Sequence, residues 1–223
     1  MQLKTKGFVA LSGGVDSTTV LSIAAERHVG NVEAISFDYG QRHIKELDCA
    51  REIARVMGIT HRVVSLGYIP PNALTDVSLE IPRTSYDEIQ GVSPSYVFFR
   101  NGQIISKLAA VASADPQDTV IYVGTHAEDA YNDAYPDCRL DFIGAMAAAV
   151  YIGTYHKTRL SAPIIEMSKD EVVAKGFALG APLQLTWSCY LGGEKHCGTC
   201  PTCRARKEAF AKAGLLDATP YME

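Results

Sequence analysis

The sequence lacks an apolar run long enough to cross a bilayer, and the apolar stretch near its N-terminus is too brief for a secretory leader. It also lacks an excess of basic residues, because 21 lysines and arginines stand against 25 aspartates and glutamates in 223 residues, a formal net charge of −4. Nucleic-acid binding relies on clustered cations that contact phosphates. We therefore expect no membrane association, no nucleic-acid partner and a cytoplasmic location.

Two common phosphate-binding motifs are missing as well. No G-x-x-x-x-G-K-[ST] string occurs, which argues against transfer of a terminal phosphoryl group at a Walker-type site. No G-x-G-x-x-G follows the first predicted strand, which argues against a dinucleotide cofactor. Internal repeats and low-complexity tracts are also absent, and 47% of the residues are hydrophobic, as in ordinary globular proteins. We expect one principal domain with an appendage.

Apolar runs rich in β-branched residues alternate with stretches of helical periodicity. This pattern predicts an α/β fold with a doubly wound, mostly parallel five-stranded sheet. The predicted strands cover residues 8–11, 32–37, 61–65, 119–123 and 160–162. The predicted helices cover residues 17–28, 44–57, 101–114, 140–155 and 169–179. Ser168 and Glu171 predict a capping box at the start of the last helix, and Gly180 predicts its C′ position.

A long segment without periodicity separates the third predicted strand from the third predicted helix. Four prolines occur between residues 66 and 95: Pro70, Pro71, Pro82 and Pro94. Such segments are typical of lids and binding loops.

The string L-S-G-G-V-D-S-T-T, residues 11–19, lies between the first predicted strand and the first predicted helix. Glycines let the backbone approach a phosphate, and the N–H groups that open a helix carry partial positive charge. Ser12, Ser17 and Thr18 add hydroxyl donors. Asp16 cannot be a phosphate ligand, so we expect it to cap the helix or to help hold Mg²⁺. An ordinary strand-to-helix turn is the alternative, and the complete S-G-G-x-D-S string favours phosphate binding.

This string resembles the PP-loop motif of the N-type ATP pyrophosphatases. The resemblance implies a Rossmann-like fold in which ATP is cleaved between its α- and β-phosphates and AMP is transferred to a carboxylate or carbonyl oxygen. The residues implied to bind ATP are Leu11, Ser12, Gly13, Gly14, Val15, Asp16, Ser17, Thr18, Phe37, Gln41 and Gly124.

Four of the six cysteines cluster near the C-terminus, at Cys189, Cys197, Cys200 and Cys203. Tetrahedral Zn²⁺ takes four such thiolates, and four protein ligands leave no open position for water, so we expect a structural zinc site. An iron–sulfur cluster takes the same ligands, and the spacing alone separates the two poorly. A C-x-x-C redox pair is a third possibility that the two additional cysteines disfavour.

We expect residues 1–185 to form an ATP-binding α/β domain and residues 186–223 a zinc-binding segment.

Further polar strings follow predicted strands or precede a predicted helix. F-D-Y-G-Q-R-H begins at Phe37, R-N at Arg100, and G-T-H-A-E-D at Gly124. Ligands bind at the carboxyl edge of doubly wound sheets, and a guanidinium suits carboxylate or phosphate recognition. A solvent-exposed loop is the alternative for each string alone. His126 is more typical of a structural histidine, and we assign it no role.

Taken together, the strings S-G-G-V-D-S-T-T, F-D-Y-G-Q-R-H, R-N, E-D-A-Y-N-D-A-Y-P-D-C-R and W-S-C-Y…C-G-T-C-P-T-C-R-A-R resemble the 7-cyano-7-deazaguanine synthase family over nearly the whole chain. The resemblance implies that ATP, ammonia and 7-carboxy-7-deazaguanine yield a nitrile through adenylated acid and amide intermediates. It also implies ATP with Mg²⁺, a structural Zn²⁺ and a homodimer. The implied catalytic residues are Asp16, Ser17, Arg100 and Asp137. The implied substrate-binding residues are Tyr39, Arg100, Asn101, Glu128, Asp129, Tyr135, Asp137 and Arg139.

One position departs from the family pattern. Phe98 stands two residues before Arg100, where members commonly carry proline. Proline restricts the backbone and removes a hydrogen-bond donor, so its loss could reshape the wall of the substrate pocket. Two products other than the nitrile therefore remain open. The enzyme would stop at the 7-amido compound, or it would pass an activated deazaguanine to another acceptor. A PP-loop ligase that modifies tRNA and a nucleotide-binding module without turnover are less favoured.

Overall fold

The computed structural model describes residues 5–76, 78–81, 92–93, 95–126 and 134–222. The strands are β1 (Lys6–Ala10), β2 (Val32–Asp38), β3 (Thr60–Ser65), β4 (Thr119–Tyr122) and β5 (Thr158–Ser161). The α-helices are α1 (Val15–Arg27), α2 (Lys45–Val56), α3 (Arg100–Ser113), α4 (Leu140–Gly153), α5 (Lys169–Ala178) and α6 (Pro201–Lys212). Single 3₁₀ turns cover Pro136–Cys138 and Leu183–Leu185.

The strands pair in the order β3-β2-β1-β4-β5, and every pair is parallel. Phe8 on the central strand lies opposite Glu33 of β2 and Ile121 of β4. The chain leaves β1 toward β2 on one side and later returns to β4 on the other. A crevice therefore opens outside the carboxyl ends of these three strands, where ligands bind in doubly wound folds. The predicted five-stranded α/β fold is confirmed.

All ten predicted strands and helices are present, with ends that differ from the prediction by at most two residues. The capping box at Ser168 and Glu171 is confirmed, and Gly180 follows α5 with a φ of +68°. Helix α6 is not among the predicted elements. Its first residue is Pro201, which suits the first turn of a helix because the missing N–H would have no intrahelical partner there.

Each face of the sheet is covered by its own hydrophobic cluster. Neighbouring residues of β1 point to opposite faces, so Phe8 joins one cluster with α3 and Val9 joins the other with α1. The C-terminal segment contributes to both clusters through Trp187, Cys203, Ala209 and Phe210. The segment therefore shares the buried core of the α/β part.

No strand or helix is assigned to the described residues between 66 and 81, in agreement with the predicted loop. Arg42 holds this loop against the sheet, since its N–H donates to the Leu74 carbonyl at 2.8 Å and its guanidinium donates to the Leu79 carbonyl at 3.1 Å. Pro82 and Pro94 lie outside the described residues. Among the described helices, none has both the length and the apolar character that a membrane span needs.

Candidate active site

The phosphate loop, residues 11–18, runs from the end of β1 into α1. Gly13 has a φ of +85°, and a Cβ atom there would collide with the backbone carbonyl of Glu46, so the position requires glycine. The hydroxyls of Ser12 and Ser17 lie 3.0 Å apart, and the Ser12 N–H donates to Ser17 Oγ at 3.1 Å. These bonds fix the loop with the N-terminus of α1 beside it, an arrangement that suits an anion.

Asp16 is the second residue of α1, and Gly14 rather than Asp16 is the N-cap. The Asp16 carboxylate forms an ion pair with Lys169 Nζ, and its Oδ2 lies 3.9 Å from His126 Nε2. Burial alone would raise the pKa of Asp16, but Lys169 and His126 hold it below its ordinary value. Its Oδ1 is buried and accepts no hydrogen bond from the part of the chain that the structure describes. An ionised oxygen is thus available to a cation.

A cavity of about 670 Å³ opens from the phosphate loop along the carboxyl edge of the sheet. Its volume falls within the range that holds small-molecule ligands. Eleven of the predicted site residues line it: Leu11, Ser12, Gly14, Val15, Asp16, Ser17, Phe37, Tyr39, Arg100, Asn101 and Gly124.

Gly13, Thr18 and Gln41 are not among the lining residues. Gln41 instead fixes the turn after β2, because its Oε1 accepts the Tyr39 N–H at 2.9 Å and its Nε2 donates to the Phe37 carbonyl at 3.1 Å. The three residues shape the two loops that enclose the cavity.

Arg100 and Tyr39 meet within the cavity. Arg100 Nη1 donates to the Tyr39 hydroxyl at 3.1 Å, and the guanidinium lies 5.6 Å from the centre of the Tyr39 ring. Burial raises the pKa of Tyr39 to about 12, so the phenol stays neutral. Burial works against the Arg100 cation, but Tyr39 and other nearby groups raise its pKa overall. The pair offers a permanent cation with a planar fork, which suits a carboxylate.

Asp137 lies next to the first turn of α3 and is not among the residues that line the cavity. Its Oδ2 accepts the Asn101 N–H at 2.9 Å, so the carboxylate caps the first turn of α3. Asn101 Nδ2 donates to the Asp137 carbonyl at 3.3 Å and to Cys138 Sγ at 3.2 Å. Cys138 does line the cavity. In this structure Asp137 positions the Arg100–Asn101 pair.

Two other predicted substrate-binding residues lie away from the cavity lining. Tyr135 is buried, and its hydroxyl lies 2.6 Å from Ser95 Oγ. Arg139 forms an ion pair with Asp141 across 3.1 Å at the start of α4. Glu128 and Asp129 fall outside the described residues.

The prediction from sequence missed Lys169, which lines the phosphate end of the cavity. It is the first residue of α5, and its Nζ lies 3.4 Å from His126 Nε2 as well as against Asp16. A single lysine that follows a helix N-cap belongs to no recognisable motif, so the sequence did not indicate a functional role for it. The one signal was that Ser168 places Lys169 in a helix that follows the last strand.

Trp187 was also missed, although it connects the phosphate loop to the cysteine segment. Its backbone N–H donates to the Gly13 carbonyl at 2.8 Å, and its indole N–H donates to the Cys189 carbonyl at 2.7 Å. The ring lies 4.1 Å from the ring of His196, centre to centre. Trp187 thus connects the two sites: it is bonded to the phosphate loop and lies two positions before Cys189 of the cysteine cluster.

The four cysteines converge as predicted, and their sulfur atoms all lie within 4.8 Å of one another. Tetrahedral zinc with bonds of about 2.3 Å places its sulfur ligands roughly 3.8 Å apart. Cys197 Sγ and Cys203 Sγ are 3.9 Å apart. The Cys200 N–H donates to Cys197 Sγ at 3.2 Å, which supports a thiolate. The residues fit a single tetrahedral ion.

Arg206 of α6 fastens this segment to the chain before it. The side chain is only 1% exposed and pairs with Asp217 through two bonds of 3.0 Å. It also donates to Thr186 Oγ1 at 2.7 Å and to Ser188 Oγ at 3.2 Å. These two residues flank Trp187, so the buried guanidinium fixes the link between the cysteine cluster and the phosphate loop.

Comparison with known proteins finds relatives that match nearly the whole chain. A relative from Caldicellulosiruptor bescii, "7-cyano-7-deazaguanine synthase", is 38% identical over 219 residues, 97% of this chain and 97% of the relative. A relative of the same name from Oceanobacillus iheyensis is 40% identical over 223 residues, covering 97% and 98%. A solved NMN synthetase from Francisella tularensis aligns with 15% identity and a TM-score of 0.46 over 96% of this chain and 79% of that chain.

The sequence model described as "Queuosine biosynthesis protein QueC" matches residues 6–214. This match spans the phosphate loop, the Arg100–Asn101 pair and all four cysteines. The resemblance inferred from the motifs is confirmed, and the chain belongs to the QueC family of queuosine biosynthesis proteins.

Proposed function

We propose that this chain is a ligase that converts 7-carboxy-7-deazaguanine, ammonia and ATP to 7-cyano-7-deazaguanine in the biosynthesis of queuosine or related 7-deazaguanines. The observation that carries the proposal is that the phosphate loop and Arg100 line one cavity of about 670 Å³. A nucleotide phosphate at one end and an anionic substrate at the other would meet inside it.

The phosphate end binds ATP. The Ser12 and Ser17 hydroxyls and the N–H groups at the start of α1 donate to phosphate oxygens, and Lys169 supplies positive charge toward the departing pyrophosphate. Mg²⁺, when bound, neutralises the phosphates and makes pyrophosphate a better leaving group. The ionised Asp16, whose Oδ1 accepts no hydrogen bond from the described residues, is the residue that would hold it.

The other end of the cavity binds the deazaguanine acid. Arg100 orients the carboxylate toward the α-phosphorus, and Tyr39 and Asn101 line the same wall. Asp137 acts by holding the first turn of α3 in place. Positioning of this kind supplies most of the rate enhancement expected for an in-line displacement.

The chemistry has two adenylation steps. The substrate carboxylate attacks the α-phosphorus, pyrophosphate leaves, and ammonia displaces AMP to give the amide. The amide oxygen attacks the α-phosphorus of a second ATP, pyrophosphate leaves, and loss of AMP and of both protons on the nitrogen leaves the C≡N bond. Both steps use the same phosphate loop, because only the attacking oxygen differs.

A second candidate stops at the amide or passes the activated deazaguanine to another acceptor. Phe98 is 54% exposed and does not line the cavity. Phe99, directly before Arg100, has a φ of +54°, which is strained for an aromatic residue. This left-handed backbone conformation directly before Arg100, whose guanidinium is proposed to orient the carboxylate, is the observation that favours the second candidate.

The test is the mass of the product formed from the acid, ammonium and ATP with Mg²⁺. We expect the nitrile as the final product, with the amide as an intermediate. Accumulation of the amide alone establishes the form of the second candidate that stops there, and an unchanged acid without consumption of ATP refutes both candidates.

We propose that the cysteine cluster holds structural Zn²⁺. Close sulfurs within 4.8 Å suit one ion, whereas an iron–sulfur cluster spreads its thiolates over several irons. The cysteines of the cluster form no disulfide with the described residues, which fits a cytoplasmic, reducing environment. Elemental analysis of purified protein should give one zinc per chain, and iron with acid-labile sulfide would contradict the assignment. We retain residues 1–185 and 186–223 as the ATP-binding domain and metal-binding segment.

We also propose a homodimer that acts on small molecules alone. Helix α4 exposes apolar residues: Leu140 is 60% exposed and Ile152 is 69% exposed. Association would remove this face from water. Light scattering after gel filtration should give a dimer, and Ile152→Lys should shift it to a monomer. A wild-type monomer would refute the proposal.

A further inference from the structure

The cavity contains a histidine that the steps above do not use. His43 follows the turn after β2 and is 3% exposed. Its Nε2 lies 3.2 Å from Oε2 of Glu46, and both residues line the cavity together with Tyr39 and Arg100. Glu46 lies close enough to influence the pKa values of both Tyr39 and Arg100. The His43–Glu46 pair therefore lies at the end of the cavity where the substrate carboxylate is activated.

The hydrogen bonds of Glu46 fix the state of the His43 ring. Its carboxylate accepts from Gln41 Nε2 at 2.9 Å through one oxygen and faces His43 Nε2 through the other. A carboxylate only accepts hydrogen bonds, so the neutral imidazole carries its proton on Nε2. Nδ1 is then a bare acceptor. It is buried without a hydrogen-bond partner among the residues that the structure describes.

A histidine that serves only the core normally has both ring nitrogens satisfied, because an unpaired buried acceptor costs about 1–3 kcal/mol. His43 has one satisfied nitrogen, oriented by a carboxylate as in the Ser-His-Asp arrangement. The Tyr190 ring lies 5.5 Å from the His43 ring, centre to centre. The surroundings thus combine a lone pair, the Glu46 carboxylate and the Tyr190 ring, which suit a small cation with N–H donors. The Tyr39 ring already faces the Arg100 guanidinium.

The proposed reaction demands such a ligand. Its nucleophile is ammonia, but at neutral pH the dissolved species is mainly ammonium, which has no lone pair. A base near the activated carbonyl is therefore needed. His126, the other histidine that lines the cavity within the described residues, lies at the phosphate end against Asp16 and Lys169.

We propose that His43 and Glu46 form an ammonium site in which His43 Nδ1 is the general base that releases ammonia, an inference that rests on the proposed function. Ammonium gives one proton to Nδ1, and Glu46 stabilises the resulting imidazolium. The freed electron pair attacks the acyl carbon, the C–N bond forms, and the C–O bond to AMP breaks with its electrons on the phosphate. The nitrogen loses a second proton to the departing AMP phosphate, and the amide remains.

Hydroxylamine separates a base from a structural residue, since it is largely unprotonated at neutral pH and attacks without help. Three rates are measured for wild type and His43→Asn: acid-dependent exchange of pyrophosphate into ATP without ammonium, amide formation with ammonium, and hydroxamate formation with hydroxylamine. In the variant we expect unchanged exchange, near wild-type hydroxamate formation, and amide formation lower by about 10²–10⁴-fold.

Two further variants accompany this measurement. Glu46→Gln keeps an acceptor for Nε2 but removes the charge, so amide formation should fall by about tenfold or more while hydroxamate formation persists. His156→Asn is the matched control, because His156 lies in the turn between α4 and β5 at a φ of +66°, which asparagine tolerates. All three of its rates should equal those of wild type.

Equal losses of amide and hydroxamate in His43→Asn would overturn the proposal, as would lost exchange or undiminished amide formation. The proposed function fails separately, if wild-type protein shows no acid-dependent exchange at all.

Discussion

Replacing Lys169 with methionine removes the cation that lies between the phosphate loop and α5. The side chain keeps a similar length, so the change isolates the charge. Lys169 pairs with Asp16, and with nucleotide bound we expect it to face the pyrophosphate as negative charge develops there. The loss should therefore slow adenylation more than it weakens ATP binding.

The size of the effect follows from the charge and its surroundings. A unit charge about 4 Å from a phosphate oxygen contributes about 4 kcal/mol at an effective dielectric constant near 20. Since each 1.4 kcal/mol is a factor of about ten, the upper limit is roughly a 10³-fold loss, and removal of a single donor from an oxyanion site typically costs about 10²–10³-fold in kcat. We expect kcat for pyrophosphate exchange to fall within that range.

The variant also changes the acid limb of the rate profile. Lys169 opposes the effect of burial on Asp16 and holds its pKa below the ordinary value. Without the lysine, burial raises that pKa, so a higher pH is needed to ionise Asp16 and the acid limb should move to higher pH.

The assay is pyrophosphate exchange into ATP across a pH series, with Lys175→Met on the last turn of α5 as the matched control. The control should behave as wild type. An exchange rate for Lys169→Met within a factor of about three of wild type, with an unmoved acid limb, would refute the role given to Lys169.

Three more predictions follow from the phosphate loop and its support. Gly13→Ala should raise KM for ATP at least about tenfold in exchange kinetics, because the φ of +85° and the clash with Glu46 displace the loop; Gly30→Ala, at a φ of +71° in open space, controls for backbone strain and should leave KM unchanged. Arg206→Met removes the cation from the partly buried Asp217, which keeps only the hydrogen bonds from the Thr219 N–H and the Tyr221 hydroxyl, so urea unfolding should show a loss of about 3 kcal/mol; a loss near zero would contradict the role given to the Arg206–Asp217 pair. Chelation of the metal should lower the unfolding temperature and also weaken ATP binding in calorimetry, because Trp187 links Cys189 to Gly13; unchanged ATP affinity would show that the link transmits nothing.

Much of the fold could be predicted because the signals are local. Alternating apolar runs specify the strands, and the capping box at Ser168 marks where α5 begins. The strand order β3-β2-β1-β4-β5 depends on long-range pairing, which periodicity does not encode. Helix α6 escaped prediction because its first turn coincides with the cysteine motif and Pro201, which together read as a metal-binding loop.

The phosphate loop could be found because its residues are adjacent in sequence. Lys169 could not be placed, since it meets Asp16 across 153 positions and belongs to no recognisable string. His43 lay inside a recognised string, but only its distance to Glu46 and its place in the cavity lining distinguish it, since the buried His196 also has an Nδ1 without a partner among the described residues. Asp137 shows another limit of sequence reasoning: its string predicts a substrate contact, which stays a prediction, but does not reveal that its carboxylate accepts the Asn101 N–H at the start of α3.

The central claim is that the phosphate loop serves transfer of AMP rather than of a terminal phosphoryl group. Its most direct test is the identity of the nucleotide products when the protein turns over ATP with 7-carboxy-7-deazaguanine and ammonium. The account predicts AMP and pyrophosphate in equal amounts. Formation of ADP and orthophosphate would contradict it.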